Sequence, residues 1–262
     1  MKLLIADLDG TLYPKKNVEN PNQLEDNIKA VKKWVQQGNK FAVATARGLH
    51  HYEYLTNTLG FKVNFIGANG AAVKLENGEE IIKSMPCELF IDMCKFVNDN
   101  HINASVACGY DDEWVWSSKD CYPIGYDIFK PGVEESIQVA DLDTMDPNVG
   151  LDRIQIFVPE ADLNDLRKKL ESRNYPAVIT TSDTNLIDIG PLNSSKGISI
   201  KELCLKYEIN TNDIIAVGDS ENDIPMFKVA NRSYCINHAS NIVKQNATYV
   251  VKSVEEVISL EL

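Results

Sequence analysis

The residues with the clearest chemical potential are two carboxylates near the start of the chain. Asp7 and Asp9 stand two positions apart, directly after the apolar run Leu3 to Ala6, which predicts a buried parallel strand. Gly10 follows them and lets the backbone turn sharply. Two like charges this close need a cation beside them, so the pattern indicates a metal site. The alternative is a loop in which both acids are solvated.

A second acidic segment, Gly218 to Asp223, follows the apolar run Ile214 to Val217. The carboxyl ends of parallel strands share the sheet edge at which open α/β proteins bind ligands, so we expect Asp219 and Asp223 to lie near Asp7. Oxygen ligands from two strands, with no paired His or Cys nearby, suit Mg²⁺. The structural alternative is that Asp219 or Asp223 caps the following helix, which is compatible with catalysis.

Two further segments have the residue types that hold an anion. Thr45, Ala46 and Arg47 end a predicted strand and begin a helix, where a hydroxyl and backbone N–H groups bind phosphate. Lys196 opens another predicted helix, a position where the helix dipole disfavours a cation unless an anion lies between them. We interpret Lys196 as a phosphate clamp. The alternatives are a solvated lysine and an ordinary threonine at a strand end.

The elements that must position these residues alternate between strand and helix at both ends of the chain, which predicts an α/β fold with a Rossmann-like parallel sheet. Between these ends the pattern changes to strand-like pieces and an amphipathic helix at Asp162 to Arg173, which predicts an inserted α+β domain. The predicted boundaries are residues 1–80 and 188–262 for the catalytic core and 81–187 for the insertion.

Composition argues against several classes of function. The chain of 262 residues has a formal net charge of −12 and no dense Lys/Arg tract, so the electrostatic footprint of a nucleic-acid partner is missing. Asp7 comes too early for a signal peptide and no apolar run approaches membrane-spanning length, so we expect a cytoplasmic protein without a membrane partner.

The six cysteines lack zinc-ligand spacing, and we expect reduced, mostly buried thiols rather than a thiol nucleophile. The sequence does not set the oligomeric state.

Taken together, these segments resemble the haloacid dehalogenase superfamily. Asp7 to Thr11 match its first motif, Thr45 its second, Lys196 its third and Gly218 to Met226 its fourth, in the family's order. The insertion is similar to that superfamily's type-2 cap, as in its Cof-type sugar-phosphate phosphatases. One departure is Ala46, where the family usually has glycine. Alanine keeps the backbone N–H that would bind phosphate, provided that the position does not need a positive φ.

The resemblance implies a Mg²⁺-dependent phosphatase of a small phosphomonoester, such as a sugar phosphate. Asp7 would attack phosphorus to form an aspartyl-phosphate, and Asp9 would act first as acid and then as base. Mg²⁺ would be bound by Asp7, the backbone carbonyl of Asp9 and Asp219. The other implied roles are phosphate binding by Thr45, the Ala46 amide, Lys196 and Asn222, positioning of Lys196 or a metal-bound water by Asp223, and substrate contacts by Arg47, Asn69 and Gly70.

The insertion would act as a cap that closes over the leaving group and selects the substrate. Its aromatic residues Tyr110, Trp114, Trp116 and Tyr126 are candidates for facing a sugar, although such side chains are more often part of a core. Two alternatives stay open: a phosphotransferase such as a hexose-phosphate mutase, and a catalytically silent sensor of a phosphorylated ligand. The presence of Asp9 argues against the sensor, which would be free to lose it.

Overall fold

The structure, a computed structural model, describes the chain except for residues 110–112 and 118–136. Its strands are β1 Leu3–Ala6, β2 Lys40–Ala44, β3 Asn64–Gly67, β4 Ala72–Lys74, β5 Glu80–Ile82, β6 Met85–Pro86, β7 Ser105–Gly109, β8 Glu113–Ser117, β9 Ile137–Val139, β10 Gly150–Leu151, β11 Arg153–Phe157, β12 Ala177–Asp183, β13 Leu186–Pro191, β14 Ile214–Gly218, β15 Arg232–Ile236 and β16 Tyr249–Val251. Its α-helices are α1 Gln23–Gln36, α2 His51–Leu59, α3 Glu88–Asp99, α4 Glu160–Ser172, α5 Lys196–Lys206, α6 Ile224–Phe227, α7 Asn241–Asn246 and α8 Val254–Glu261.

The larger sheet has the strand order β16-β15-β14-β1-β2-β3-β4-β5, with parallel pairing from β16 to β3 and antiparallel pairing beyond. β1 lies in its centre, with Ala6 opposite Val217 of β14 on one side and Val43 of β2 on the other. The two acidic segments and the Thr45 segment therefore leave the sheet at the same edge, as the sequence predicts.

Burial on both faces explains why β1 is a continuous apolar run. Leu4 and Ala6 pack into the core on one face of the sheet, which includes Trp34 of α1, Leu55 of α2 and residues of α8. Leu3 and Ile5 pack into the core on the other face, to which α5, α6 and α7 contribute. Helices on both faces of a parallel sheet give the predicted α/β core its three layers.

The inserted segment forms a second sheet with the order β12-β13-β11-β7-β8-β9, antiparallel except for β8 with β9. Ile154 and Ile156 of β11 pack against apolar residues of α3 and of α4, such as Phe90 and Leu166. The predicted combination of an α/β core with an α+β insertion is confirmed. Helix α3 was not among the predicted elements.

Two local features differ from the predicted elements. The helix expected over Asp223 to Val229 is a 3-10 turn, Glu221–Asp223, with a capping box between Ser220 and Asp223, followed by the short α6 Ile224–Phe227. At the predicted domain boundaries, β5 continues in the larger sheet to Ile82 and β13 in the inserted sheet to Pro191. The limits 81–187 stay a prediction.

Cysteine burial bears on the alternative of a thiol nucleophile. Cys87, Cys94, Cys108, Cys204 and Cys235 are buried and free of disulfides, and Cys121 lies outside the described residues. Burial raises the pKa of the Cys204 thiol to about 11 and that of Cys94 well above its usual value, so these thiols stay protonated at neutral pH.

Among the described helices, none is both long and apolar enough to cross a membrane.

Candidate active site

A buried lysine joins two acidic residues at the carboxyl edge of the larger sheet. Lys196 Nζ donates hydrogen bonds to Asp7 Oδ1 and to Asp223 Oδ1, each over 2.6 Å. Lys196 and Asp223 are fully buried, and Asp7 is 5% exposed. Lys196 begins α5, where the helix dipole would otherwise disfavour a cation, so the two carboxylates supply the negative charge that this position requires.

Burial controls the ionisation of these groups. Burial raises the pKa of Asp7 well above its usual value; Lys196 opposes this rise, whereas Asp223 and Asp219 add to it. The pKa of Asp223 is raised for the same main reason. Burial lowers the pKa of Lys196, but the carboxylates of Asp223 and Asp7 outweigh it and keep the lysine charged. Lys196 contacts two of the three acids, and Asp219 faces the exposed Lys15 at 3.8 Å, so additional bound positive charge would favour the ionised cluster.

Asp219 completes the acidic cluster from the loop after β14. Its Oδ1 accepts a hydrogen bond from Thr11 Oγ1 over 3.1 Å, and its Oδ2 lies 2.9 Å from His238 Nε2 and 3.8 Å from Lys15 Nζ. Gly10 has a φ of +88°, and a Cβ there would come within 2.5 Å of Asp219 Oδ2. Glycine therefore permits both the turn after Asp9 and the close approach of Asp219.

The chemistry of the acidic cluster fits a hard divalent cation. Carboxylate oxygens of Asp7, Asp219 and Asp223 lie within 4.8 Å of one another, and all three residues are buried. Lys196 is shared by Asp7 and Asp223, and the exposed Lys15 lies 3.8 Å from Asp219, so the cluster keeps negative charge that a divalent cation would neutralise. Magnesium prefers oxygen ligands, and one or two carboxylates are usual in its protein sites. The predicted ligand Asp219 thus lies beside Asp7, while Asp223 is held by Lys196.

Asp223 also fixes the loop that carries Asp219. Its Oδ2 accepts hydrogen bonds from the backbone N–H groups of Asp219 and Ser220, over 2.9 Å and 3.0 Å. Its other oxygen binds Lys196. The structural alternative, in which Asp223 caps the following helix, is not what the structure shows: Asp223 precedes α6, but its carboxylate binds the two N–H groups before it and Lys196 instead.

Of the predicted phosphate-binding residues, Thr45 and Ala46 follow β2, Asn222 follows β14 and Lys196 begins α5. Thr45 is buried, and its Oγ1 accepts a hydrogen bond from the backbone N–H of Arg47 over 3.2 Å. Ala46 is not among the described residues with a positive φ, so its departure from glycine leaves the backbone unstrained. Asn222 Nδ2 donates to Asn69 Oδ1 over 2.9 Å, while Asn222 Oδ1 is buried without a hydrogen-bond partner.

Asn69 and Gly70, predicted substrate contacts, form a tight turn after β3. Asn69 adopts a left-handed conformation with φ 51°, and Gly70 has a φ of +99°. A Cβ at Gly70 would overlap the backbone of Ser195, the residue that caps α5. The turn therefore holds Asn69 beside Asn222 and braces the helix that presents Lys196, whereas Gly70 is buried against that helix.

Asp9 points in a different direction from Asp7. Its two carboxylate oxygens accept hydrogen bonds from Nε and Nη2 of Arg47, each over 2.7 Å, and its side chain is about half exposed. This bidentate pair joins the loop after β1 to the loop after β2. Arg47, predicted to contact the substrate, therefore binds Asp9, a pair that no sequence pattern indicated.

A cavity of about 190 Å³ lies between this edge of the sheet and the inserted sheet. Arg153 of β11 reaches it and packs against Gly48, where a Cβ would lie 2.6 Å from the guanidinium Cζ. Arg153 Nη1 donates to Asp152 Oδ1 over 2.8 Å, and burial lowers the pKa of Arg153 to about 10. The other lining residues are Asp7, Asp9, Thr45, Ala46, Arg47, His50, Gln155, Phe157, Ser182, Asp183, Leu186, Ser220 and Asn222.

Of the four aromatic residues predicted to face a sugar, Trp116 is the one whose side chain the structure describes. Tyr110 and Tyr126 lie outside the described residues, and the structure describes no side-chain placement for Trp114. Trp116 packs against the core of the inserted domain and is absent from the described cavity lining. Sequence reasoning missed Arg153, Gln155 and Gly48 as neighbours of the site, because no local motif marks them.

Comparison with known proteins agrees with this geometry. A sequence profile of the haloacid dehalogenase-like hydrolase family matches residues 4–259. The chain is 25% identical over 280 residues to the 5-amino-6-(5-phospho-D-ribitylamino)uracil phosphatase YwtE of Bacillus subtilis (strain 168), covering 98% of this chain and 94% of that protein.

Two solved structures are similar in fold. A haloacid dehalogenase-like hydrolase from Bacteroides thetaiotaomicron superposes with a TM-score of 0.80 at 21% identity, over 100% of this chain and 99% of that one. The HAD subclass IIB sugar phosphatase BT4131 gives a TM-score of 0.79 at 21% identity, over 98% and 95%. The predicted family and the predicted enzyme class, a phosphoric monoester hydrolase, are confirmed. The chain therefore belongs to the haloacid dehalogenase-like hydrolase family.

Proposed function

We propose that this hydrolase is a Mg²⁺-dependent phosphatase that transfers the phosphoryl group of a small phosphomonoester to Asp7 and then to water. The observation that carries this proposal is the buried cluster in which Lys196 binds Asp7 while Asp219 lies alongside. A carboxylate held in one orientation at the edge of a cavity is placed to act as a nucleophile.

In the first step an oxygen of Asp7 forms a bond to phosphorus, and the bond between phosphorus and the leaving oxygen breaks. The electron pair of that bond stays on the leaving oxygen, which takes a proton from Asp9. In the second step Asp9 removes a proton from water, and the hydroxide displaces Asp7 from phosphorus. Asp9 lines the same cavity as Asp7, but its carboxylate binds Arg47 whereas that of Asp7 binds Lys196. We therefore assign separate roles to the two carboxylates.

Asp7, Asp219 and the backbone carbonyl of Asp9 would hold Mg²⁺. When bound, the ion supplies positive charge that screens the repulsion between Asp7 and the phosphate oxygens. Thr11 fixes the carboxylate of Asp219 by a hydrogen bond, and Asp223 fixes the backbone on which Asp219 stands. Such contacts orient a metal ligand before the metal arrives.

The remaining phosphate oxygens would be bound by the Thr45 hydroxyl, the Ala46 amide, Lys196 and Asn222. These groups converge on Asp7 from the ends of β2 and β14 and from the start of α5. Donors fixed before the reaction stabilise charge that develops in the transition state without reorganising at that moment. The hydroxyl of Thr45 and the ammonium of Lys196 have this property, because both side chains are buried.

We propose a sugar phosphate, or a similar polyol phosphate, as the substrate class, with residues 81–187 acting as the cap that selects it. The arginines of the cavity are paired with acids, Arg47 with Asp9 and Arg153 with Asp152, so the walls offer little net charge to a second anionic group. Gln155 and Ser182 add groups that hydrogen-bond hydroxyls. The names of YwtE and BT4131, which refer to a ribityl phosphate and to sugar phosphates, support the same class.

The test is phosphate release from a panel of sugar, polyol and carboxylate phosphomonoesters, with Mg²⁺ and with EDTA. We expect Mg²⁺-dependent release for sugar or polyol phosphates and its loss in Asp7→Asn, because an amide cannot act as this nucleophile. Asp162→Asn, the same change at an exposed helix position, is the matched control and should keep activity. Activity that survives Asp7→Asn would refute the mechanism. Formation of an isomeric sugar phosphate without phosphate release would favour the mutase.

A further inference from the structure

Arg47 and Asp9 form a contact whose geometry is more restrictive than that of a simple ion pair. Nε and Nη2 of Arg47 donate in parallel to Oδ2 and Oδ1 of Asp9, both over 2.7 Å. A fork of this kind fixes the plane of the carboxylate as well as its distance, which a lysine ammonium cannot do. The direction in which Asp9 presents its oxygens is therefore set by Arg47.

The backbone of Arg47 is itself anchored between two strand ends. Its N–H donates to Thr45 Oγ1 over 3.2 Å, and its carbonyl accepts a hydrogen bond from the N–H of Ala68 over 2.8 Å. A Cβ at Gly67 would lie 2.8 Å from that carbonyl oxygen, so glycine there permits the contact. Arg47 thus fixes the position of the Asp9 carboxylate relative to the loop that carries Thr45.

His51, on the first turn of α2, lies behind the guanidinium. Its Nδ1 is 3.4 Å from Arg47 Nη1, and the residue is 3% exposed. Burial first, and then the charge of Arg47, lower the pKa of His51 to about 4, so the imidazole is neutral at pH 7. A neutral ring offers one nitrogen as an acceptor, and here the acceptor faces the Nη1 group that Asp9 leaves unused.

The bidentate contact with Arg47 leaves Asp9 able to exchange a proton with a ligand. An ionised carboxylate has about four lone-pair sites on its two oxygens, and the fork occupies two of them. The side chain of Asp9 is about half exposed and lines the cavity beside Asp7, so the remaining sites are accessible from the place where a leaving group would sit. Arg47, by contrast, already has three of its five N–H groups directed at Asp9 and His51.

We propose that Arg47, supported by His51, is a positioning residue that orients Asp9 for proton transfer to the leaving group, rather than a residue that binds the substrate. The inference rests on the proposed function, because it assigns Arg47 to the step in which Asp9 protonates the leaving oxygen. A positioning role and a binding role differ in one observable. Loss of orientation at Asp9 slows departure of the leaving group only for those substrates whose leaving group needs a proton, whereas proton removal from water in the second step is common to all substrates.

The experiment compares the single-turnover rate of leaving-group release, which reports the first step alone, for the best-hydrolysed sugar phosphate and for p-nitrophenyl phosphate, whose leaving group departs without protonation. Arg47→Lys keeps the charge and removes the fork. General acid catalysis contributes about 10²–10⁴-fold, so Arg47→Lys should lower this rate for the sugar phosphate by about 10²-fold and that for p-nitrophenyl phosphate by less than about tenfold. KM should change little for either substrate.

A double variant separates the two roles further. On the sugar phosphate, Arg47→Lys combined with Asp9→Asn should be no slower than Asp9→Asn alone, because residues that act through one another are not additive. His51→Leu should show the same selectivity as Arg47→Lys with a smaller loss, and His51→Asn, whose side-chain oxygen can accept from Arg47, should recover it. Circular dichroism and thermal unfolding of each variant check that the fold is retained.

Equal losses on both substrates, additive losses in the double variant, or a change confined to KM would each overturn the positioning role and make Arg47 a substrate contact. These results leave the proposed function standing. The proposed function fails by a different result, namely a wild-type protein that hydrolyses neither substrate or an Asp7→Asn variant that remains active, and the inference about Arg47 then falls with it.

Discussion

Replacement of Lys196 by methionine removes the cation that links two buried carboxylates. Lys196 Nζ is 2.6 Å from both Asp7 Oδ1 and Asp223 Oδ1, and the lysine has no exposed surface. Removing one partner of a buried ion pair costs about 3–5 kcal/mol, because the other charge stays in a low-dielectric interior. We expect Lys196→Met to reduce the free energy of unfolding by this amount, which corresponds to a fall of roughly 6–20 °C in melting temperature for a chain of this size.

The assay is urea unfolding at pH 7 in EDTA, with Lys206→Met as the matched control. Lys206 lies on the same helix and pairs with Glu79 at the surface, so its loss should cost no more than about 1 kcal/mol. The penalty in Lys196→Met should shrink as the pH falls, because protonation of Asp7 and Asp223 removes the buried charge. If Lys196→Met costs no more than the control, the lysine does not balance these acids and the electrostatic account of the site is wrong.

Three further predictions concern other parts of the site. Mg²⁺ at 100 times its Kd should stabilise the wild type by about 2.7 kcal/mol, and Asp219→Asn should remove most of this gain in a thermal shift assay. The pKa of His51 falls from 6.5 to about 4 in the folded state, so wild type should lose about 3 kcal/mol relative to His51→Asn as the pH drops from 6.5 to 4, measured by urea unfolding. Gly48→Ala should push Arg153 out of its contact and lower the free energy of unfolding by about 1–3 kcal/mol, measured by urea unfolding. A flat Mg²⁺ response, parallel pH curves or an unchanged free energy of unfolding in Gly48→Ala would contradict these expectations in turn.

The sequence was informative where a local pattern decides the outcome. Apolar runs such as Leu3 to Ala6 and Ile214 to Val217 are typical of buried strands, and polar residues that follow parallel strands emerge at one sheet edge. The convergence of Asp7, Asp219 and Lys196 was therefore predictable, although their separations along the chain are large.

The contacts that the sequence did not reveal depend on side-chain direction and on the placement of the insertion. Asp9 and Asp7 share one motif, yet Asp9 turns toward Arg47, which is 38 residues away, and only the orientation of the loop after β2 decides this. Arg153 approaches Gly48 because the two sheets face each other across the cavity. Neither position carries a local signal, since an arginine in a strand and a glycine in a loop are ordinary.

The central claim, covalent catalysis by Asp7, is tested most directly by trapping the enzyme during turnover. Hydroxylamine converts an acyl phosphate into a hydroxamate, and peptide mass mapping locates the modified residue. The account predicts a hydroxamate at Asp7 that forms only with both substrate and Mg²⁺ present, and that is absent from Asp7→Asn. Steady turnover of a phosphomonoester without modification of Asp7, or with modification of another side chain, would contradict it.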